Sequence, residues 1–472
     1  MAEPLHKRLQ SQLRGLIQSG TFPMGARFPS IRQTSKEHRL SISTVLEAYR
    51  ALEEEGWIVA RPRSGYFVSS EKGAGSRFPG ATAGASKPIR LKPGAIFESL
   101  RDYSSDPAFV SFAAAAPGSG IVPESRLTAL VREVMRHAGR KALSYTPPQG
   151  RLELRSALAR RLFDAGMKIG PDEIVTTFGG TEALLLALRA TTKPGDLVAV
   201  EVPTYFGILN LIRDLGLRVI EIPVNPQTGL VIEALVDVVA KRRIAACVVQ
   251  PHFHNPVGGL MPETHKQALA GLADAHGFAI IEDDVYGDLA HDGHRPRSLA
   301  CFSERVIHCG SASKTIAPGL RVGWIVPGDR LGEVRRLKES LAPWNASLSE
   351  SIVARFLEAG GYDRHLRRIR SLYADQCLKI RGAVLDRFPD CTRINRPSGG
   401  FVLWVEMPKG FDSAAFAEAA LGKKILVSPG ALFSASESLT HCFRLSCGFA
   451  FDERTMEAIA TLGKLAPRFL PK

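Results

Sequence analysis

Apolar positions at Leu5, Leu9, Leu13, Leu16 and Ile17 recur at helical spacing, and Gly20 follows as a stop. Pro29 and Ser30 open a second short helix, with Ser30 placed to cap it. The turn Arg39-Leu40-Ser41 leads into a third from Ser43 to Glu55, closed by Gly56. Two β-prone runs, Trp57-Ile58-Val59 and Tyr66-Phe67-Val68, flank the tip Arg61-Pro62-Arg63-Ser64-Gly65. Three helices and a basic hairpin describe a winged helix-turn-helix over residues 1–69. In such a unit the third helix enters the DNA major groove, here with Ser43 and Thr44 near its N-terminus, and the wing lies on the backbone. Arg27, Arg32, Lys36, Arg39, Arg61 and Arg63 are the expected phosphate or base contacts. The competing reading is a small helical cap with a solvated basic face; helix order and the wing arginines favour the DNA reader.

Beyond Val68 the period is lost. Gly73, Gly75, Gly80 and Gly84 punctuate a stretch rich in Ala, Ser and Lys, and residues 70–105 are expected to be a flexible tether. From about Asp106 to residue 472, β-like runs alternate with amphipathic helices, which predicts an α/β body with a mainly parallel sheet and a smaller α+β part. Strand candidates are Leu197–Glu201, Arg218–Val224, Ala246–Gln250, Phe278–Glu282, Arg305–Cys309 and Val322–Val326. Pro262–His276, with Gly277 behind it, is the clearest helix.

Composition narrows the class. With 472 residues, 45% hydrophobic and 23% charged, the chain reads as globular with two to four domains. The net charge of +14 favours an anionic partner, yet residues 1–68 hold ten Lys/Arg against six Asp/Glu, a net of +4, so most of the excess lies elsewhere. Seven cysteines without a CxxC pair suggest reduced thiols in the cytoplasm, and neither a membrane-length apolar run nor a signal-peptide layout is expected.

The candidate chemistry centres on Ser311-Ala312-Ser313-Lys314, with Arg321 seven residues on. A lysine that forms a Schiff base needs a cramped site that depresses its pKa, and hydroxyls beside an arginine fork suit a phosphate dianion. Other strand ends add parts, as expected where functional residues gather at strand C-termini. Gly180-Thr181 opens a helix whose N–H groups could hold phosphate. Tyr205 could stack on an aromatic ring, while Asn255 and the pair Asp283 and Tyr286 follow further strands. A pyridine-based cofactor needs an acid at its ring nitrogen, donors to its phenolic oxygen, a phosphate cradle and a lysine. Asp283, Asn255 with Tyr286, Gly180-Thr181 with Ser311, Ser313 and Arg321, and Lys314 fill those roles in turn. His252-x-His254 has metal-like spacing but no evident Cys/His/carboxylate cluster around it, so no metal site is expected.

The head resembles the GntR family of bacterial regulators through Phe28-Pro29-Ser30-Ile31-Arg32, Ser41-Ile42-Ser43-Thr44-Val45 and the wing from Arg61 to Val68. It departs at Ile42, where many relatives carry arginine, and at Thr34-Ser35, where a more apolar pair would pack better. From about residue 106 the chain resembles fold-type I pyridoxal-phosphate enzymes, the aspartate-aminotransferase-like group. The landmarks are Tyr145 with Gly150, Gly180-Thr181, Tyr205, Asn255-Pro256-Val257-Gly258, Asp283 with Tyr286, Ser311 to Lys314 with Arg321, and Arg444. That resemblance implies pyridoxal 5′-phosphate as cofactor. It also implies a homodimer, because the tyrosine at Tyr145 reaches the neighbouring subunit's cofactor phosphate, and it gives Arg444 the substrate carboxylate. Head and body together have the layout of MocR-like regulators.

Two functions follow. One is a DNA-binding transcriptional regulator that senses an amino-containing ligand, or the cofactor itself, through the Schiff-base site. The other is an aminotransferase acting on an amino acid and a 2-oxo acid, for which nothing needed is missing.

Overall fold

The computed structural model describes residues 5–18, 21–23, 25–54, 56–61, 65–68, 78–82, 87–91, 103, 106–118, 120–358 and 360–471. The chain forms two compact units, Met1–Phe78 and Pro79–Lys472.

In the first unit, α1 (Leu5–Gln18), α2 (Ile31–His38) and α3 (Ile42–Glu54) precede the antiparallel pair β1 (Ile58–Arg61) and β2 (Gly65–Val68). Ser30 caps α2 by accepting from the Gln33 N–H at 3.2 Å, and Ser41 accepts from the Thr44 N–H at 3.1 Å. Leu9, Leu13, Val45, Ala48, Leu52, Ile58 and Val68 close the core around Tyr49. The polar pair in α2, expected to weaken packing, is instead tied in. The Pro29 carbonyl accepts from Tyr49 Oη at 2.9 Å, so the Thr34 hydroxyl donates to that phenol at 2.7 Å. Ser35 Oγ donates to the Leu40 carbonyl at 2.7 Å. A buried hydroxyl costs little once it has a partner. Arg27, Arg32 and Ser43 are exposed and Thr44 is half-buried. Arg63 and the side chain of Arg61 lie outside the described residues.

The second unit is built on an eight-stranded sheet in the order Val175–Thr177, Gly323–Val326, Val306–Ser311, Ala279–Asp283, Ala246–Val249, Leu197–Val202, Arg218–Asn225, Gly229–Leu230. The five strands from Val306–Ser311 to Arg218–Asn225 run parallel, and the three others pair antiparallel. Near-continuous apolar runs such as Leu-Val-Ala-Val at 197–200 suit strands covered on both faces. Each of the six expected strands is present, with ends moved by one or two residues. The 27-residue helix Gly361–Arg387 leads into a smaller antiparallel sheet in the order Arg393–Ile394, Val402–Glu406, Cys442–Ser446, Ser428–Pro429.

The tether expected over residues 70–105 is not free along its whole length. Thr82 Oγ1 donates to the Val202 carbonyl at 2.7 Å and accepts from the Val224 N–H at 2.8 Å. Ile89 bridges Val219, and the Gly80 N–H donates to Glu406 at 2.8 Å. The cause is an edge. The outer strand Gly229–Leu230 pairs only with Val224 and Asn225, which leaves the rest of Arg218–Asn225 to be covered.

Candidate cofactor and ligand site

Adjacent parallel strands bring the chemistry together at their C-terminal ends. Asp283 ends one strand and faces Cys309 of the next in register, two residues before Ser311. Asp283 is buried. Its Oδ2 accepts from Gln250 Nε2 at 2.5 Å, and its Oδ1 has no hydrogen-bond partner among the described residues. Burial pushes its carboxyl up to about 6, helped by Asp284 and opposed by the Gln250 hydrogen bond, Lys314 and His254. An unpartnered oxygen on a buried acid lacks a donor, and a protonated ring nitrogen is one.

Lys314 follows the strand Val306–Ser311, and its Nζ donates to the Ala115 carbonyl at 2.5 Å. Burial lowers its ammonium to about 8. Arg444 and Arg321 push the same way, and Asp283 opposes them. Around it the Ser311 hydroxyl donates to Ser313 Oγ at 2.9 Å, and Arg321 Nη2 donates to the Phe178 carbonyl at 3.1 Å. Gly180 and Thr181 begin the helix Gly180–Thr191, after Gly179 at φ +87°. A helix N-terminus, two hydroxyls and a guanidinium are donors of the kind that suit a phosphate group.

Arg444 lies on the strand Cys442–Ser446 of the smaller sheet and is 1% exposed. It donates through Nη1 to Asn255 Oδ1 at 2.9 Å and through Nη2 to the Ala113 carbonyl and, at 3.3 Å, to Ser428 Oγ. Its guanidinium sits 5.0 Å over the Phe433 ring. Burial lowers its pKa to about 10 against the opposing pull of Tyr286 and Tyr205. The buried Tyr286 hydroxyl also lacks a partner among the described residues, and its ring packs edge-on to Phe401. Tyr205 begins the helix Phe206–Asp214; burial raises its phenol, as does nearby Asp283.

Tyr145 stands apart from this buried group. It is 80% exposed and packs on Trp344 with ring centroids 4.2 Å apart.

Residues outside the sequence reading also take part. Gln250 sits immediately after the strand Ala246–Val249, where the strand-end rule that found Asp283 could have found it. Ala113 and Ala115 act through backbone carbonyls, which residue type does not announce. His252 has neighbours that its sequence spacing does not reveal: the fold brings Glu282 and Asp284 within 4.8 Å of it. This corrects the expectation that no carboxylate gathers there. Each member is already engaged. Lys266 Nζ lies 2.7 Å from His252 Nε2, Arg295 pairs with Asp284, and Ser298 and His308 hold Glu282. The cluster is a buried network of ion pairs and hydrogen bonds.

Donor set, orphaned acid oxygen and low-pKa lysine together fit pyridoxal 5′-phosphate. Residues 118–461 match the family model for aminotransferase class I and II, and residues 5–68 that for bacterial regulatory proteins of the gntR family. Over 98% of its length the chain is similar to the HTH-type transcriptional regulators YjiR and YdcR of Escherichia coli (strain K12), at 36% and 33% identity, with 99% and 98% of those proteins covered. Its fold is similar to the kynurenine aminotransferase of Pyrococcus horikoshii solved with PMP, at TM-score 0.76 and 27% identity over 81% of this chain and 96% of that one. The same holds for LysN, the alpha-aminoadipate aminotransferase of Thermus thermophilus, at TM-score 0.74 and 27% identity over 80% and 96%. The chain therefore belongs to the aminotransferase class I and II family in its body and to the gntR family of bacterial regulatory proteins in its head, the layout of the MocR-like regulators.

Proposed function

We propose that the protein is a cytoplasmic, homodimeric transcriptional regulator whose DNA affinity answers to an amino-containing carboxylate bound at Lys314 and Arg444. The observation that carries this reading is the joining, in one chain, of a winged helix-turn-helix to a buried acid and arginine with a half-buried lysine between them. Bound in the body, pyridoxal 5′-phosphate supplies an aldehyde that condenses with amines and a ring that withdraws electrons. Lys314 offers an amine that is partly neutral near pH 8. Asp283 Oδ1 would hold a proton on the ring nitrogen, Asn255 and Tyr286 would donate to the phenolic oxygen, and Tyr205 would stack on the ring. Gly180, Thr181, Ser311, Ser313 and Arg321 would hold the phosphate, with Tyr145 of a second copy of the chain completing the set. Arg444 takes the ligand carboxylate. In the head, Ser43 and Thr44 read the major groove, while Arg27, Arg32, Arg61 and Arg63 meet the DNA backbone or bases. A ligand that prefers one shape of the body then shifts DNA affinity by that preference.

The second reading, an aminotransferase acting on an amino acid and a 2-oxo acid, is favoured by one feature. A lysine lowered to about 8 is suited to accept and return a proton at neutral pH. Titration of the purified full-length protein on DNA from upstream of its own gene, with and without pyridoxal phosphate and single amino acids, separates the two. Ligand-dependent DNA binding supports regulation. Turnover of amino acid to keto acid without any DNA binding overturns it.

A further inference from the structure

We infer that Gln250 is a positioning residue that holds the ring-nitrogen acid and the ligand-carboxylate grip in one rigid frame. The inference rests on the cofactor reading above and goes beyond it. Gln250 is 2% exposed and follows a parallel strand at the centre of the sheet. Its side chain makes two bonds of opposite sense. Oε1 accepts from the Asn255 N–H at 3.1 Å, and Nε2 donates to Asp283 Oδ2 at 2.5 Å. The orientation of the amide is fixed by chemistry: a backbone N–H can only donate, so the oxygen must face Asn255 and the NH₂ must face Asp283. The Gln250 N–H in turn donates to Glu201 Oε2 at 2.7 Å, which lies 3.1 Å from His254 Nε2. Main chain and side chain are both pinned.

Two consequences follow from this frame. Oδ2 of Asp283 is consumed by the amide, which fixes the rotation of the carboxylate and presents Oδ1 as the free oxygen. Asn255, held through its N–H, presents Oδ1 to Arg444 Nη1 at 2.9 Å. The path Asp283, Gln250, Asn255, Arg444 thus links the acid for the cofactor ring to the cation for the ligand through three hydrogen bonds. Leucine in place of Gln250 fills similar space but serves neither neighbour. Glutamate makes the same two bonds only when protonated, its O–H donating to Asp283 and its carbonyl accepting from Asn255. Once ionised it faces Asp283 as a like charge. The charged and titratable groups around it are Asp283, Asp284, Glu201, His254 and Lys314, with the phenols Tyr205 and Tyr286.

The test uses full-length protein, titrated with pyridoxal phosphate by absorbance and then, once loaded, with propionate as a carboxylate probe. Each variant is compared with wild type at every pH from 5.5 to 8.5. Gln250→Leu should weaken both cofactor and propionate binding by about tenfold or more, although it touches neither. Gln250→Glu should approach wild type at low pH and resemble the leucine variant at high pH. That reversible dependence is one a space-filling role does not give. Wild type that takes up cofactor, with Gln250→Leu within twofold of it on both titrations, overturns the positioning role alone. So does a Gln250→Glu profile parallel to wild type. Wild type that takes up no cofactor overturns the cofactor reading and this role with it.

Discussion

Gly179 and Arg321 approach so closely that a Cβ on the glycine would stand 2.4 Å from the arginine Nη2. The glycine also holds φ +87° with ψ 173°, a region almost reserved for glycine that costs other residues about 1–3 kcal/mol. Gly179→Ala must therefore push the guanidinium away from the place proposed for the cofactor phosphate. Cofactor affinity should fall by about tenfold or more, read by absorbance titration, with the thermal unfolding profile of the chain otherwise retained.

Lys314 sets a pH dependence with a definite sign. Its pKa is lowered to about 8, so the reactive neutral amine grows as pH rises through 8. At pH 7.5 about a quarter of it is neutral, against ~0.1% for an ordinary lysine. The rate of covalent cofactor uptake by stripped protein should rise with a midpoint near 8. Borohydride reduction followed by peptide mass spectrometry should place the adduct on Lys314, and Lys314→Ala should abolish it.

Asp283→Ala and Arg444→Ala should fail differently. The first removes the partner of the ring nitrogen and lowers cofactor affinity. The second keeps the ring-nitrogen acid, so cofactor affinity falls less, and it weakens carboxylate ligands by about 1.5–3 kcal/mol, the worth of a charge-assisted hydrogen bond. Spectral titration with amino acids separates the cases, and equal loss of cofactor in both variants contradicts the roles.

Thr34 and Tyr49 give the head a polar core contact at 2.7 Å. Thr34→Val leaves the phenol with the Pro29 carbonyl alone and should destabilise the head by about 1 kcal/mol. Calorimetric unfolding of the full chain should show its head transition move down while the body transition stays.

Much of the molecule was legible because its signals are local. Helical spacing in the head, apolar runs at the parallel strands and residue types at strand ends such as Asp283 and Lys314 each report on a few neighbouring positions. What escaped depends on distant pairings. Thr82 looked like part of a featureless linker because nothing near it in the chain reveals the open edge of Arg218–Asn225. His252 found its carboxylates 30 and 32 residues downstream, at Glu282 and Asp284, joined only by the sheet.

The anchor at Thr82 can be tested directly. Valine keeps its shape and loses both hydrogen bonds to Val202 and Val224. At about 1 kcal/mol each, their loss should raise amide exchange at Thr82, Ile89 and Val224 by roughly thirtyfold, while the sheet interior stays protected.

The partial engagement of Arg444 by its own chain has a consequence for selectivity. Ala113, Ser428 and Asn255 accept from the two terminal nitrogens while the buried Nε has no partner among the described residues, so the carboxylate proposed for this site would meet one unused donor beside three neutral oxygens that it can displace. An ionised carboxylate forms bonds roughly twice as strong as neutral ones and can win that exchange. An amide or alcohol of the same shape could take the unused Nε–H but gains little by displacing oxygens as neutral as its own. The protein thus carries its own reference competitor, and every visiting molecule is ranked against it before it is felt.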